Sequence, residues 1–358
     1  MNARTSRIVL SLLVVSAAPL SASAWDRGHV RTFATLPAGA SGPEGLEVDS
    51  NGRAYVTTFG FTSSGPTTGL GQLYVYDREG NLLRQVSIAG SSPHLLGLRF
   101  HPITKALLVI DFGNGQVLDV DPETGSATVF MTLPSPLPHP ALGAGLNDVT
   151  FDQAGNVYVS DSFQGIVWTT GQQGGVASVW VDSGLLRTTG VPPFGANGLR
   201  FNQEQTALFV ANTGNDTIVE VPVAAGPAGS APVAGTPAVF TNSIGGPDGL
   251  LIDEDDNLWV VANQADEIVV VDPTGKAISK LGDFGGIDGG APREMLFPAS
   301  LRFSGDDLVV TNLSLDLRLI NPSFESVDSE WCAQVSRYTV VKLRARVRGF
   351  GPGGPGEW

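Results

Sequence analysis

Leu146-Asn147-Asp148-Val149-Thr150-Phe151-Asp152-Gln153-Ala154-Gly155-Asn156-Val157-Tyr158-Val159 is the stretch on which the fold turns. An apolar, β-branched run leads into a turn of Asp, Gly and Asn, and a second β-branched and aromatic run follows, which reads as a hairpin. Its closing valine recurs along the chain as Val56, Val109, Val159, Val210, Val260 and Val310, at intervals of 50 to 53 residues. Eleven to thirteen residues ahead of each valine lies a second recurring position, occupied by Glu44, Leu96, Asn147, Asn197, Asp248 and Ala299. Further short strand-like runs follow the hairpins, such as Gln116 to Val120, Thr217 to Val221 and Glu267 to Val271. Four strands in about 50 residues, six times over, predict an all-β fold, a six-bladed β-propeller of four-stranded blades.

The sixth repeat is incomplete. It supplies Leu301 to Phe303, Leu308 to Val310 and, after an interruption from Asp316 to Gln334 that carries Cys332, a run from Val335 to Leu343. Arg31-Thr32-Phe33 has the composition of the last strands elsewhere, Thr128-Val129-Phe130 and Ala238-Val239-Phe240 among them. The N-terminal strand is therefore predicted to join the last blade and close the ring, removing an open edge.

The chain divides into three parts. Arg4 and Arg7, the apolar run Ile8 to Val15 and Ala22-Ser23-Ala24 before Trp25 read as a signal peptide over 1–24, so a secreted or periplasmic protein is expected. Its apolar core is too short for a membrane span, and no later stretch reaches that length. The propeller occupies 25–348, and 349–358 is a Gly/Pro-rich tail expected to be disordered. Net charge is −14, or −16 once Arg4 and Arg7 are removed, which excludes the basic patches that nucleic acid requires. The single cysteine allows no intrachain disulfide and no cysteine metal cluster. With 45 glycines and 16% charged residues, the composition suits tight turns and buried strands. A monomer is expected.

In a propeller blade the first strand faces the central axis, so the residue opening it stands at the channel mouth. Glu44, Asn147, Asn197 and Asp248 are expected to converge there as two carboxylates and two amides. Such an all-oxygen set suits a hard divalent cation, calcium first, with magnesium, manganese or zinc as alternatives. A solvated channel also explains polar residues at strand openings. The inequality among the repeats, with Leu96 and Ala299 apolar, favours a metal site. Two residues beyond the valines lie Asp111, Asp161 and Asn212, candidates for supporting or substrate contacts whose commoner role is to bond nearby backbone N–H groups. His94 and His139 sit in loops entering first strands; His94 is a candidate general base and His139 a substrate contact. Asp253-Glu254-Asp255-Asp256-Asn257 looks like the start of an EF-hand, but Leu258 and Gln264 occupy its sixth and twelfth positions, so it reads as a hairpin turn. No G-x-S-x-G nucleophile elbow or H-E-x-x-H helix is present.

Gly42-Pro43-Glu44-Gly45-Leu46, Leu146-Asn147-Asp148-Val149, Ala196-Asn197-Gly198-Leu199 and Gly246-Pro247-Asp248-Gly249-Leu250 together resemble the four ligand motifs of the gluconolactonase/regucalcin-like (senescence marker protein-like) family of six-bladed propellers. That family lies in a wider group of propeller hydrolases with the paraoxonases. The second repeat, Leu96-Gly97-Leu98-Arg99-Phe100-His101-Pro102, is similar to strictosidine-synthase-like propellers. The resemblance implies a divalent metal at the top of the channel and hydrolysis of a small-molecule lactone or related ester. It implies Glu44, Asn197 and Asp248 as metal ligands, and Asn147 as a fourth ligand or a contact to bound substrate. The mechanism expected is metal-assisted, with Asp248 or His94 activating water. The competing expectation is a non-catalytic NHL-like or strictosidine-synthase-like binding propeller.

Overall fold

A computed structural model describes residues 27–227 and 231–345, together with 347 and 349. The expected signal peptide lies outside the described residues, as does the C-terminal tail apart from Gly349, which bridges to Asp253.

The chain is nearly all β. Pro43–Val48, Ala54–Thr58, Gln72–Tyr76 and Leu82–Ser87 pair in that order into one antiparallel sheet. Pro247–Ile252, Leu258–Ala262, Glu267–Val271 and Ala277–Leu281 build another. Ala196–Phe201, Ala207–Asn212 and Thr217–Ala224 form a third, in which Thr217–Ala224 pairs with both Val233–Ala234 and Ala238–Asn242. The largest sheet has eight strands. Its two antiparallel halves, Leu95–Phe100 to Ala127–Thr132 and Leu146–Phe151 to Gly174–Asp182, meet through two parallel pairs, Met131 with Gly175 and Thr132 with Val176. The last sheet runs Pro298–Ser304, Asp307–Asn312, Thr339–Arg344, and its outer place is taken by Arg31–Thr35, antiparallel to Thr339–Arg344. This final strand begins at Thr339 rather than at Val335. Val335 instead closes the turn after a short helix, Ser329–Cys332, donating its N–H to the Cys332 carbonyl.

Burial falls from the first strand of each repeat to its last. Pro247–Ile252 is buried throughout, whereas Leu82–Ser87 and Ala277–Leu281 are largely exposed. The first strands are therefore innermost. Each packs on the next, from Pro43–Val48 through to Pro298–Ser304, and that last one packs back on Pro43–Val48. Middle strands such as Glu267–Val271 lie between neighbouring sheets and are buried on both faces, hence their unbroken apolar runs.

Three of the six turns after the inner strands owe their shape to one aspartate each. Asp49, Asp152 and Asp253 accept from backbone N–H groups up to four residues ahead through Oδ1, and through Oδ2 from Tyr55, Tyr158 and Trp259 on the following strand. The acidic run at Asp253 is thus a hairpin turn.

A second regularity sits at the mouth of the inner strands. All six carry a bulge that covers the marked residue: pairing shifts between Pro43 and Leu46, Leu95 and Leu98, Leu146 and Val149, Ala196 and Leu199, Pro247 and Leu250, and Pro298 and Leu301. A bulge re-aims a side chain out of the strand's alternation. In four of the six repeats a glycine follows the marked residue and lets adjacent bulges touch. A Cβ on Gly45 would stand 2.3 Å from the Leu96 carbonyl oxygen, and one on Gly198 would stand 2.3 Å from that of Asp248.

Candidate functional site

The bulges bring Glu44, Asn147, Asn197 and Asp248 to one pocket, an open cavity of about 370 Å³ including its mouth. All four side chains are buried. They come from different inner strands, so the pocket exists only because the succession of sheets closes. Hydroxyl groups from neighbouring sheets fasten that closure beside the site: Thr311 donates to the Glu44 carbonyl at 2.8 Å, Ser162 to Ala196 at 2.7 Å and Thr213 to Pro247 at 2.8 Å.

Ser162 and Thr213 have a second task. With their protons spent on carbonyls, their oxygens accept from the amide NH₂ groups of Asn147 (3.2 Å) and Asn197 (2.9 Å). Each asparagine is left with its carbonyl oxygen to offer. Asn263 plays the corresponding part for Asp248, donating from Nδ2 to Oδ2 at 3.1 Å. The carboxylate oxygen Oε2 of Glu44 is buried and has no hydrogen-bond partner, an arrangement that costs free energy unless a donor or cation completes it. Burial pushes the Glu44 carboxyl well above its ordinary value, and the charges of Asp248 and Asp148 push the same way while Arg302 opposes them. Burial likewise raises Asp248 to about 7, against the lowering effect of its Asn263 hydrogen bond. Two carboxyls that resist ionising alone, beside two oriented amide oxygens, make a donor set that a hard divalent cation fits. Among the described residues no three His, Cys, Asp or Glu side chains gather at one point; this set draws half its oxygens from amides.

The rest of the pocket wall is apolar. Phe59, Leu96, Phe194, Phe297 and Leu313 face the polar groups, and Leu315 and Leu317 extend the wall into the interruption of the sixth repeat. Half-buried Phe112 and Phe163 continue this surface, with Phe163 stacked on Phe194 at 6.0 Å between ring centroids.

A family model described as SMP-30/Gluconolactonase/LRE-like region matches residues 102–282, just over half of the chain. The chain belongs to this family. Its solved structural relatives include a luciferin-regenerating enzyme (16% identity, TM-score 0.59, covering 88% of this chain and 95% of that one). A calcium-binding protein, regucalcin, from Agrobacterium tumefaciens is similar over 90% of this chain and 97% of its own, at 17% identity and TM-score 0.58. A gluconolactonase from Xanthomonas campestris is similar over 89% and 90%, at 14% identity and TM-score 0.57. At these identities the likeness is one of fold. Among curated proteins none matches the chain.

Within this family member the other candidate residues lie elsewhere. His94 is outside the pocket lining; its Nδ1 is 2.7 Å from the Phe59 carbonyl and its ring packs on Phe59 and Phe61. His139 sits by Asp182 (2.7 Å) and Arg187 (2.6 Å), while Gln164 ties its backbone to the sheet. Asp111 accepts from Ser92, Asn114 and Gln116, and Asp161 from the N–H groups of Gly145, Phe163 and Gln164 and the Trp168 indole. Asn212 donates to the Leu185 and Arg187 carbonyls. These three hold the loops that frame the pocket and do not line it.

Sequence reading passed over the row that matters more, three residues beyond each valine: Phe59, Phe112, Ser162, Thr213, Asn263 and Leu313. It is polar in the third to fifth repeats, where it orients Asn147, Asn197 and Asp248, and apolar in the others. The signal was present as a second asymmetric column fourteen to sixteen residues after the first.

Proposed function

We propose that this protein is a divalent-metal-dependent hydrolase of lactones or related esters, built on a six-bladed β-propeller whose inner strands are the six bulged ones. The observation that carries the reading is the convergence of Glu44, Asn147, Asn197 and Asp248 on one pocket, with Glu44 Oε2 buried and unpartnered. The same four would hold the cation, calcium first and magnesium, manganese or zinc as alternatives. When bound there, a divalent cation supplies Lewis-acid polarisation of the scissile carbonyl and charge stabilisation of the oxyanion.

The chain's own groups do the rest. Asn263 holds Asp248 Oδ2, which leaves Oδ1 to accept a proton from the attacking water. Ser162 and Thr213 keep the two amides in one orientation, and the apolar wall excludes bulk water. That wall, Phe59, Phe194, Phe297 and Leu313, also favours a substrate with an apolar body over a polyhydroxylated one. The residue pattern of 1–24 supports export to the periplasm or beyond, and the proposed form is a monomer.

Elemental analysis of the purified protein, melting with and without a chelator, and a screen of aryl esters and lactones test the reading. Retained calcium, a chelator-induced drop in melting temperature that Glu44→Gln abolishes, and faster turnover of alkyl lactones than of gluconolactone are expected. Absence of both metal and hydrolysis would instead favour a non-catalytic binding propeller.

A further inference from the structure

Three residues after each marked position the inner strands carry Glu47, Arg99, Thr150, Arg200, Leu251 and Arg302, so every second strand brings an arginine to the axis below the pocket. Arg99, Arg200 and Arg302 are 7%, 5% and 6% exposed. Charged groups so deeply buried are ordinarily paired. The channel carboxylates near them are already engaged. Asp148 receives Arg200 Nη1 at 2.9 Å on Oδ2 and the Val149 N–H at 2.8 Å on Oδ1. Glu47 receives Arg302 Nε at 3.4 Å on Oε2 and the Val48 N–H at 2.9 Å on Oε1.

Arg99 is left over. Its guanidinium makes no hydrogen bond among the described residues, and its Nε is fully buried, as are Nε and Nη2 of Arg200, also without partners. Below the pocket three guanidinium groups face two carboxylates, Asp148 and Glu47, each already engaged by another arginine, so Arg99 has no carboxylate of its own. Burial first, then the nearby charges of Arg200 and Arg302, act against the charged form of Arg99, and the more weakly felt charges of Glu47 and Asp148 do not outweigh them. Buried donors in this number call for an acceptor that the polypeptide does not supply.

We propose that the central channel holds a small monovalent anion, of the halide class, bound between Arg99 and Arg200 beneath the pocket. It gives Arg99 a counter-charge and accepts from the orphaned N–H groups. The inference stands apart from the proposed hydrolase activity, since it concerns groups on the opposite side of the bulges and needs neither metal nor turnover.

Sodium chloride titrated against sodium methanesulfonate at constant ionic strength, with thermal melting as the readout, tests it on the full chain. Chloride is expected to raise the melting temperature of the wild type saturably, by roughly 3–5 °C. Arg99→Met is expected to lose that dependence and to melt no lower than the wild type in chloride-free buffer. Crystals grown in sodium bromide should show an anomalous peak between Arg99 and Arg200, a measurement that holds even if the variant fails to fold. Chloride-independent melting, the same dependence in Arg99→Met, or a bromide-free channel filled by water would each overturn the proposal.

Discussion

Asn263 donates to Asp248 across 3.1 Å, fifteen residues further along the chain and just past the end of the second strand of the same sheet. The bond fixes one carboxylate oxygen and leaves the other to the pocket. Asp248→Asn keeps the shape of the side chain and removes a charge that burial disfavours, so it should leave the metal-free melting temperature unchanged or higher at pH 8. Turnover of an aryl ester or lactone should fall by about 100-fold or more. Unchanged turnover would remove Asp248 from the mechanism.

Thr213 serves two neighbours at once, accepting from Asn197 at 2.9 Å and donating to the Pro247 carbonyl at 2.8 Å. Thr213→Val is nearly isosteric and abolishes both bonds, leaving a buried amide and carbonyl unsatisfied. A loss of about 1–3 kcal/mol in chemical unfolding is expected, together with a weaker calcium-induced stabilisation. Thr213→Ser should restore most of both. If valine and serine behave alike, the hydroxyl does not orient the site.

Asp266 and Asp328 are neighbouring buried carboxyls; Asp266 accepts from the Phe297 N–H at 2.7 Å, while Asp328 Oδ2 is buried without a partner. Burial first, and for Asp266 the neighbouring Asp328, raises them to about 8 and about 6. Both values exceed that of an unfolded aspartate, near 3.9, so the folded state holds these protons more tightly. The stability they contribute is complete below about pH 4 and is lost as pH rises through about 6 and then about 8. Melting curves from pH 5 to 9 should therefore fall more steeply for the wild type than for Asp328→Asn. Parallel curves would show that the pair does not share a proton.

Arg31–Thr35 completes the sheet of Thr339–Arg344 from the far end of the chain. Deleting residues 1–40 should expose the edge of Thr339–Arg344, lower the melting temperature by roughly 10 °C or more and promote self-association. Full stability after deletion would show that the strand is dispensable for closure.

The four pocket residues were legible in the sequence because each repeat presents the same backbone place, and a change of residue type at one place stands out against the others. The closing strand was legible for a similar reason: the sixth repeat is a strand short and the N-terminus has one spare. Roles that depend on which loops meet were not legible. Asp111, Asp161 and Asn212 share a register, yet their side chains turn to loop backbone. His94, four residues before Leu98, turns to the Phe59 carbonyl. The column of Ser162, Thr213 and Asn263 was visible but carried no meaning until the fold placed it against Asn147, Asn197 and Asp248.

What the sequence determined by itself is periodic: strands, turns, their number and the unequal residues at equivalent positions, all set by local conformational preference and spacing. Only the tertiary structure decided which of those residues share a cavity, which oxygens remain free and which buried arginine lacks a hydrogen-bond partner. Those are properties of closure. Residues roughly fifty apart in sequence become neighbours only once the last sheet packs against the first, and only burial turns their polar atoms into demands for a partner.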